Sequence, residues 1–404
     1  MPAGSKIRLG VIGCGQFMSQ QHIQTIGRSD RLVLQHLATR NPEKLQRVAN
    51  RYDAVRASTR WQEVIGDPEV DVVVVGVVPH LHPEITQAAL EHGKPVYVEK
   101  PLAETPQLCL AIQRKAWQCG QPLAVGFNRR FAPATEMMRQ AFHAAGPPCT
   151  VFYRISDDDR VRPPDQQWKL ECRLLIEIVH IFDLLAYLFG AEPVRIEATE
   201  GRFNDTLVTL EYDNGSRASI LSSSWGTMAQ PKEHMEAILD RAALEMDDYV
   251  EVRTYGLADF PAVQRFAGRP YDQCDNSHVE DFARRGLDAL RALRQRYNRL
   301  MLDSGVLADS GEAANWERLA EMMGQPPLPQ INYAADKGWG AALEHFCQAA
   351  MAGTTPRNAT AIDGNRATAC AVAGRRSIET RGPIDLDSRT WDPENWVSSK
   401  GASR

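Results

Sequence analysis

The sequence predicts an α/β protein in two parts: a parallel sheet wound with helices, then a part built mainly on strands. Three observations predict it. Over roughly the first third, strand-like and helix-like stretches alternate, the pattern of crossover units in a parallel sheet. Within that third, residues 71–78 form an almost unbroken β-branched run, which suits a strand buried on both faces. From about Asn128 the alternation gives way to strand-like stretches clustered together.

The bulk numbers fit this organisation. A chain of 404 residues buries a sizeable core and divides into about two domains. A net charge of -5 gives no reason to expect a nucleic-acid partner. No apolar run approaches membrane-spanning length, and the N-terminus enters a strand without a secretory pattern. The eight cysteines include no CxxC pair, so the expectation is a reducing cytoplasm, without a disulfide framework and without a metal site.

In chain order, residues 6–12 read as a first strand, followed at once by Gly13-Cys14-Gly15-Gln16-Phe17-Met18-Ser19 and a helix to about Gly27. Glycines here allow a tight turn and a close backbone approach to a pyrophosphate, whose charge the helix N-terminus favours. Gly13, Gly15, Gln16 and Phe17 are therefore expected at a dinucleotide. The third glycine of the usual fingerprint is missing. Either Met18 takes its place, or the loop is one residue longer and Ser19 does.

Residues 32–38 are the second strand, ending at Thr39-Arg40-Asn41. An NAD site usually carries Asp or Glu here for the ribose hydroxyls. Thr39 and the cation Arg40 lean instead towards the 2′-phosphate of NADP; the alternative is that Arg40 is a solvated loop residue. Pro79 ends the run at 71–78, and a helix follows with His82 near its N-cap, Pro83 in its first turn and Gly93 as its stop. Ile85, Ala88, Ala89 and His92 fall on one face of it. A short strand, 95–98, then delivers Glu99-Lys100-Pro101 to its carboxyl end, where ligands of open parallel sheets bind. A helix over 105–119 and a strand over 123–127 lead to Asn128-Arg129-Arg130-Phe131, whose arginines either hold an anionic or polyol ligand or are solvated.

In the second part, strands are expected at 150–155, 194–199, 206–212 and 216–222, with Asp213-Asn214-Gly215 as a hairpin turn. Between the first two lies an apolar helix over 170–190 that carries Glu177, His180 and Asp183 along one face. Three polar residues on such a helix need partners or a cavity. A single histidine there reads as a satisfied core residue; the triple points to function. Residues 259–330 read as an insertion holding one helix, 279–302, whose arginines form a solvated face. After a proline-rich linker at 325–329, helices are expected over 337–351 and 365–378. An irregular tail begins beyond Arg381, pinned by Trp391 and Trp396.

Taken together these motifs resemble the Gfo/Idh/MocA oxidoreductases, the glucose-fructose oxidoreductase and inositol dehydrogenase group. The resemblance rests on Ile12–Gly15, the step from Pro79 to His82, Glu99-Lys100-Pro101, residues 126–131, His180-Ile181-Phe182-Asp183, Pro231-Lys232-Glu233 and Asp336-Lys337-Gly338, and it covers nearly the whole chain. It implies a Rossmann dinucleotide-binding domain at 1–127. It also implies an α/β substrate and oligomerisation domain at 128–404, with a large open, mostly antiparallel sheet. The activity implied is NAD(P)-dependent hydride transfer with a carbinol carbon of a sugar, sugar derivative or cyclitol, in a cytoplasmic homodimer or homotetramer without membrane or nucleic-acid partners.

The implied catalytic residues are Lys100, His180 and Asp183. His180 exchanges the hydroxyl proton, Lys100 hydrogen-bonds the same oxygen, and Asp183 orients substrate or histidine. Pro79, His82, Glu99 and Lys100 join the glycine loop, Thr39 and Arg40 as cofactor contacts, and Glu99 either braces Lys100 or approaches the ribose. Arg129, Arg130, Glu177 and Asp183 fall to the substrate, and Pro101 follows a cis bond. There are departures. Glu171-Cys172-Arg173 stands where many members have a glycine pair, and Ile176 where they have aspartate; Glu177 matches a glutamate of other branches. Two further readings stay open: a non-catalytic cofactor-binding regulator or assembly subunit, and glycoside cleavage by transient oxidation with internal recycling of the cofactor.

Overall fold

A computed structural model describes residues 6–158, 161, 173–202 and 205–392. Glu171, Cys172 and Trp396, used in the reading above, lie outside the described residues. The chain divides into two compact units. The first comprises residues 1–130, 338–369 and 388–404, and the second 131–337 and 370–387.

The first unit is built on six parallel strands: β1 (Ile7–Ile12), β2 (Leu32–Ala38), β3 (Arg56–Ser58), β4 (Val72–Val75), β5 (Val96–Val98) and β6 (Leu123–Val125), in the order β3-β2-β1-β4-β5-β6. This is the doubly wound dinucleotide-binding order, whose reversal point lies between β1 and β4. All four valines of β4 are buried, which is why that stretch runs apolar without alternation. It is shorter than 71–78, ending at Val75 before the 3₁₀ turn at Pro79–Leu81. The helix His82–Glu91 follows as expected, with Gly93 at φ +73° past its end. Thr105 caps the helix Pro106–Cys119, its hydroxyl accepting from the Leu108 N–H. The helix Trp339–Ala352 belongs to this unit too; its Phe346 meets Tyr97 of β5 at 5.9 Å between ring centres. Buried Trp391 also falls in this unit, as its pinning role required.

The second unit carries a nine-stranded sheet: β7 (Thr150–Ser156), β8 (Pro193–Glu200), β9 (Thr206–Tyr212), β10 (Arg217–Ser223), β11 (Glu233–Leu239), β12 (Ala242–Asp247), β13 (Glu251–Tyr255), β14 (Val263–Arg265) and β15 (Ile384–Asp385). Their order is β14-β13-β12-β11-β7-β10-β9-β8-β15, and every pairing is antiparallel except β7 with β10. The four expected strands are present, joined at Gly215 (φ +82°) by the expected turn. Strands β11 to β14 were not legible. Glu233–Leu239 is rich in good helix formers, yet Met235, Ala237 and Leu239 alternate inward as a half-buried strand demands.

The single helix expected over 279–302 is two. Ser277–Arg285 and Leu287–Ser304 break at Gly286, whose φ of +56° and ψ of -125° no other residue adopts without strain. The arginine face is not wholly solvated either, since Arg294 is fully buried. A third helix, Ala313–Met322, completes this region. The last helix, Ala361–Thr380, starts four residues earlier than expected, and β15 gives the tail a strand where none was read. The seven described cysteines are free thiols, and no described helix is long and apolar enough to cross a membrane.

Candidate active site

In the first unit the glycine turn follows β1 directly. Gly13 has φ +101°, and a Cβ there would collide with the Gly76 carbonyl, so glycine is required for both conformation and space. A Cβ on Gly15 would meet nothing within 4 Å, which leaves open room at the N-terminus of the helical stretch beginning at Gln16. Met18 occupies the third-glycine position. Its buried side chain fills the space over Gly76, where any Cβ would strike it, so the small residue that close packing needs sits on the strand side. A π-turn over Ser19–Ile23 absorbs one extra residue immediately afterwards. This turn of backbone N–H groups and open space fits a dinucleotide pyrophosphate. Arg40 is exposed at the end of β2, beyond Thr39, and Asn41 caps the next helix.

Glu99 and Lys100 leave the carboxyl end of β5. The Glu99 carboxylate is buried against His22 Nε2 at 2.7 Å and accepts from the Lys100 backbone N–H at 3.3 Å. A Cβ on Gly126 would come within 2.6 Å of Glu99 Oε1, so that glycine makes the carboxylate's room. Of the two roles left open for Glu99, bracing the Lys100 turn is the one this geometry serves. His22, which sequence reasoning missed, completes it; a buried histidine on the first helix carries no signal until β5 is known to lie beside it.

The Lys100–Pro101 bond is cis, as expected. His82 ties that turn down: its Nδ1 lies 2.8 Å from the Pro101 carbonyl and its Nε2 3.2 Å from that of Val77. Burial lowers its pKa, so the ring is neutral with one proton, which the tighter contact takes. The polar atoms of His82 are thus directed at backbone, and it shapes the loop. Arg129 and Arg130 are both buried, which removes the solvated alternative for either. Arg130 lies 3.0 Å from Asp363, whose carboxylate also accepts from the Thr360 N–H and hydroxyl. Burial would raise the Asp363 pKa, but Arg130 and Arg366 outweigh it and hold the carboxylate well below its usual range. The charge expected to meet a substrate is therefore answered inside the protein.

In the second unit Glu177 lies in a π-turn, Leu174–Ile178, and His180 and Asp183 in the helix Val179–Phe189 that continues it. His180 and Asp183 are buried and Glu177 is half-buried. Glu177 reaches Lys232 Nζ at 2.8 Å, and Lys232 lies 3.4 Å from Asp157. Burial opposes the Lys232 charge, but Glu177, Asp157 and Glu233 raise its pKa above the usual lysine range, so it is a fixed ammonium. Next to it, Lys337 contacts Glu233 and Asp248, each at 2.7 Å, and Arg294 reaches Asp248 at 2.9 Å. Tyr153 donates to Glu233 at 2.6 Å, and Asn332 donates to Asp157 at 2.7 Å. Asp248 and Tyr249 both take positive φ (+47° and +62°), a strained turn that this network holds. Lys232 and Glu233 thus meet Lys337, over 100 residues away, in one cluster. Lys100, Arg129 and Arg130 are placed in the first unit, and His180, Asp183 and Glu177 in the second.

Residues 7–127 match the family model GFO_IDH_MocA, described as an oxidoreductase family with an NAD-binding Rossmann fold. An inositol 2-dehydrogenase of Acidothermus cellulolyticus is 29% identical over 208 residues, covering 50% of this chain and 60% of that protein. A scyllo-inositol 2-dehydrogenase (NAD(+)) of Bacillus subtilis is 26% identical over 192 residues, 45% of this chain and 56% of its own. The matched stretches thus span less than two thirds of these relatives. A structure of myo-inositol dehydrogenase from Lactobacillus casei, in complex with NAD(H) and myo-inositol, superposes with a TM-score of 0.67 at 16% identity. That match covers 95% of this chain and 97% of the other, and establishes a shared fold. With its glycine turn, its strand order and these matches, residues 7–127 carry the NAD-binding Rossmann fold that the Gfo/Idh/MocA oxidoreductase family model describes.

Proposed function

We propose that the protein is an NAD(P)-dependent dehydrogenase or reductase acting on a CH–OH group of a sugar, sugar derivative or cyclitol. One observation carries this reading. Lys100 is presented at the carboxyl end of β5 by a buried Glu99–His22 pair and a His82 clamp, in the unit whose glycine turn fits a dinucleotide. The bound nicotinamide supplies the acceptor or donor of hydride. In the oxidative direction the carbinol carbon loses a hydride, and its hydroxyl loses a proton to His180, leaving a carbonyl. Lys100 donates a hydrogen bond to that oxygen and stabilises the charge developing on it. Asp183, buried one helical turn beyond His180, orients it or the substrate.

The exposed position of Arg40, with no acidic residue at the end of β2, supports a preference for NADP. Arg40→Ala is then expected to weaken NADPH binding about tenfold and leave NADH binding unchanged; an equal effect on both sinks that preference. Exposed Phe152, Leu207, Ile238 and Tyr255 on the strands of the open sheet support a homodimer or homotetramer, which a monomeric mass in solution contradicts. Free cysteines throughout the described residues support a cytoplasmic location, which export of the full chain contradicts.

The reading is tested by turnover of a polyol panel with NAD⁺ and NADP⁺. Lys100→Ala and His180→Ala are each expected to lower kcat by about 10²–10⁴-fold. Tight cofactor binding without turnover of any polyol by the native protein favours the regulator instead.

A further inference from the structure

Among the described residues, the charged groups of the second unit's network are buried to different degrees. The side chains of Lys337, Glu233, Asp248 and Arg294 are at most 2% exposed, and that of Asp157 is 4% exposed. Lys232 and Glu177 are 12% and 18% exposed, so this pair is the most exposed charged edge of the network. Glu177 lies three residues before His180, the residue proposed to exchange the substrate proton, on the same helical run.

The backbone fixes Lys232. Its carbonyl accepts from the Ser156 N–H at 2.9 Å and its own N–H donates to Asp248 at 3.2 Å. At the tip, an ammonium carries three donors, two of which face Glu177 and Asp157. Held in its charged form, it can only donate, and the carboxylate beside it can only accept. Two carboxylates already answer its charge, so the pair offers an anion no net attraction. What it offers is a donor next to an acceptor, 2.8 Å apart. That spacing matches two neighbouring hydroxyls, one accepting from Lys232 and the other donating to Glu177.

We propose that Lys232 and Glu177 form a diol-reading pair that makes the protein select neutral substrates with adjacent hydroxyls, against deoxy analogues and against sugar acids or phosphates. The inference rests on the dehydrogenase reading above and adds to it the substrate class and a residue, Lys232, not expected at the substrate from sequence.

The test compares kcat/KM for neutral cyclitols and pyranoses, their monodeoxy analogues, and the matching uronates and phosphates. The native protein, Lys232→Met, Glu177→Gln and Lys232→Arg are compared, each checked for folding by circular dichroism and for NADH binding. The native protein is expected to prefer the intact diol over one monodeoxy analogue by about 10- to 100-fold. Lys232→Met and Glu177→Gln should shrink that preference through KM, losing more on the intact diol than on the deoxy substrate, while Lys232→Arg keeps part of it. If Lys232→Met does not fold, the near-isosteric Glu177→Gln decides alone. An equal loss on intact and deoxy substrates, or a native preference for the anionic analogues, overturns the pair's role while the dehydrogenase stands. A folded, cofactor-binding native protein that turns over none of the panel overturns both.

Discussion

At the scale of single residues, the arrangement around Lys100 depends on a contact made far away in sequence. Glu99 is buried with His22 as its partner, and its second oxygen receives the Lys100 N–H. His22→Ala leaves that carboxylate buried without its partner. We expect a loss of about 1–3 kcal/mol in chemical denaturation and a lower kcat as the Lys100 turn loosens. Unchanged stability contradicts the brace. Lys100 itself was legible, because a lysine between a short strand and a proline sits where an open parallel sheet presents ligands. His22 and Lys232 were not. Each is an ordinary polar residue locally, and acquires its role only from a neighbour 77 or 55 positions away. Arg130 shows the converse: its position suggested a ligand, and Asp363 supplies the partner from inside the protein.

At the scale of elements, the parallel sheet was read almost strand for strand, because burial on both faces forces a β-branched composition that few other structures share. The outer half of the second sheet was hidden for the opposite reason. β11 and β12 are written in Glu, Ala, Met and Leu, whose local preference is helical, and sheet pairing, β11 with β7 and β12 with β11, overrides it. The helical region after β14 was read as one helix where Gly286 makes two. A Cβ on Gly286 would collide with the Glu251 carboxylate, and its backbone conformation is open to glycine alone. Gly286→Ala should therefore cost about 1–3 kcal/mol. Exchange protection of the amides in Ser277–Ser304 should fall most. Native stability in that variant means the break is not held as described.

At the scale of the whole molecule, buried charge ties folding to pH. Burial works against the ionised form of Asp248, but Lys337 and Arg294 outweigh it and hold its pKa well below the usual value. A carboxylate depressed in the folded state contributes stability that is complete above the ordinary Asp value of 3.8 and shrinks as the pH falls below it. Asp363 acts in the same direction. His82, lowered by burial, adds a loss that begins as the pH falls below its ordinary 6.5, where the unfolded chain takes up a proton the native ring refuses. Stability measured in denaturant should thus decline from about pH 6.5 downward and steepen below about 4. Asp248→Asn should flatten the lower part, and an unaltered profile contradicts the assignment.

The most direct test of the central claim follows a labelled hydride. Polyols carrying deuterium on their carbinol carbons are incubated with the native protein and NAD⁺ or NADP⁺, and the nicotinamide is examined by mass spectrometry. The account predicts one deuterium on each reduced nicotinamide, one carbonyl product for each, and loss of both in Lys100→Ala and His180→Ala. Cofactor that binds but stays unlabelled across the panel, or a glycoside cleaved while the cofactor returns oxidised, contradicts it.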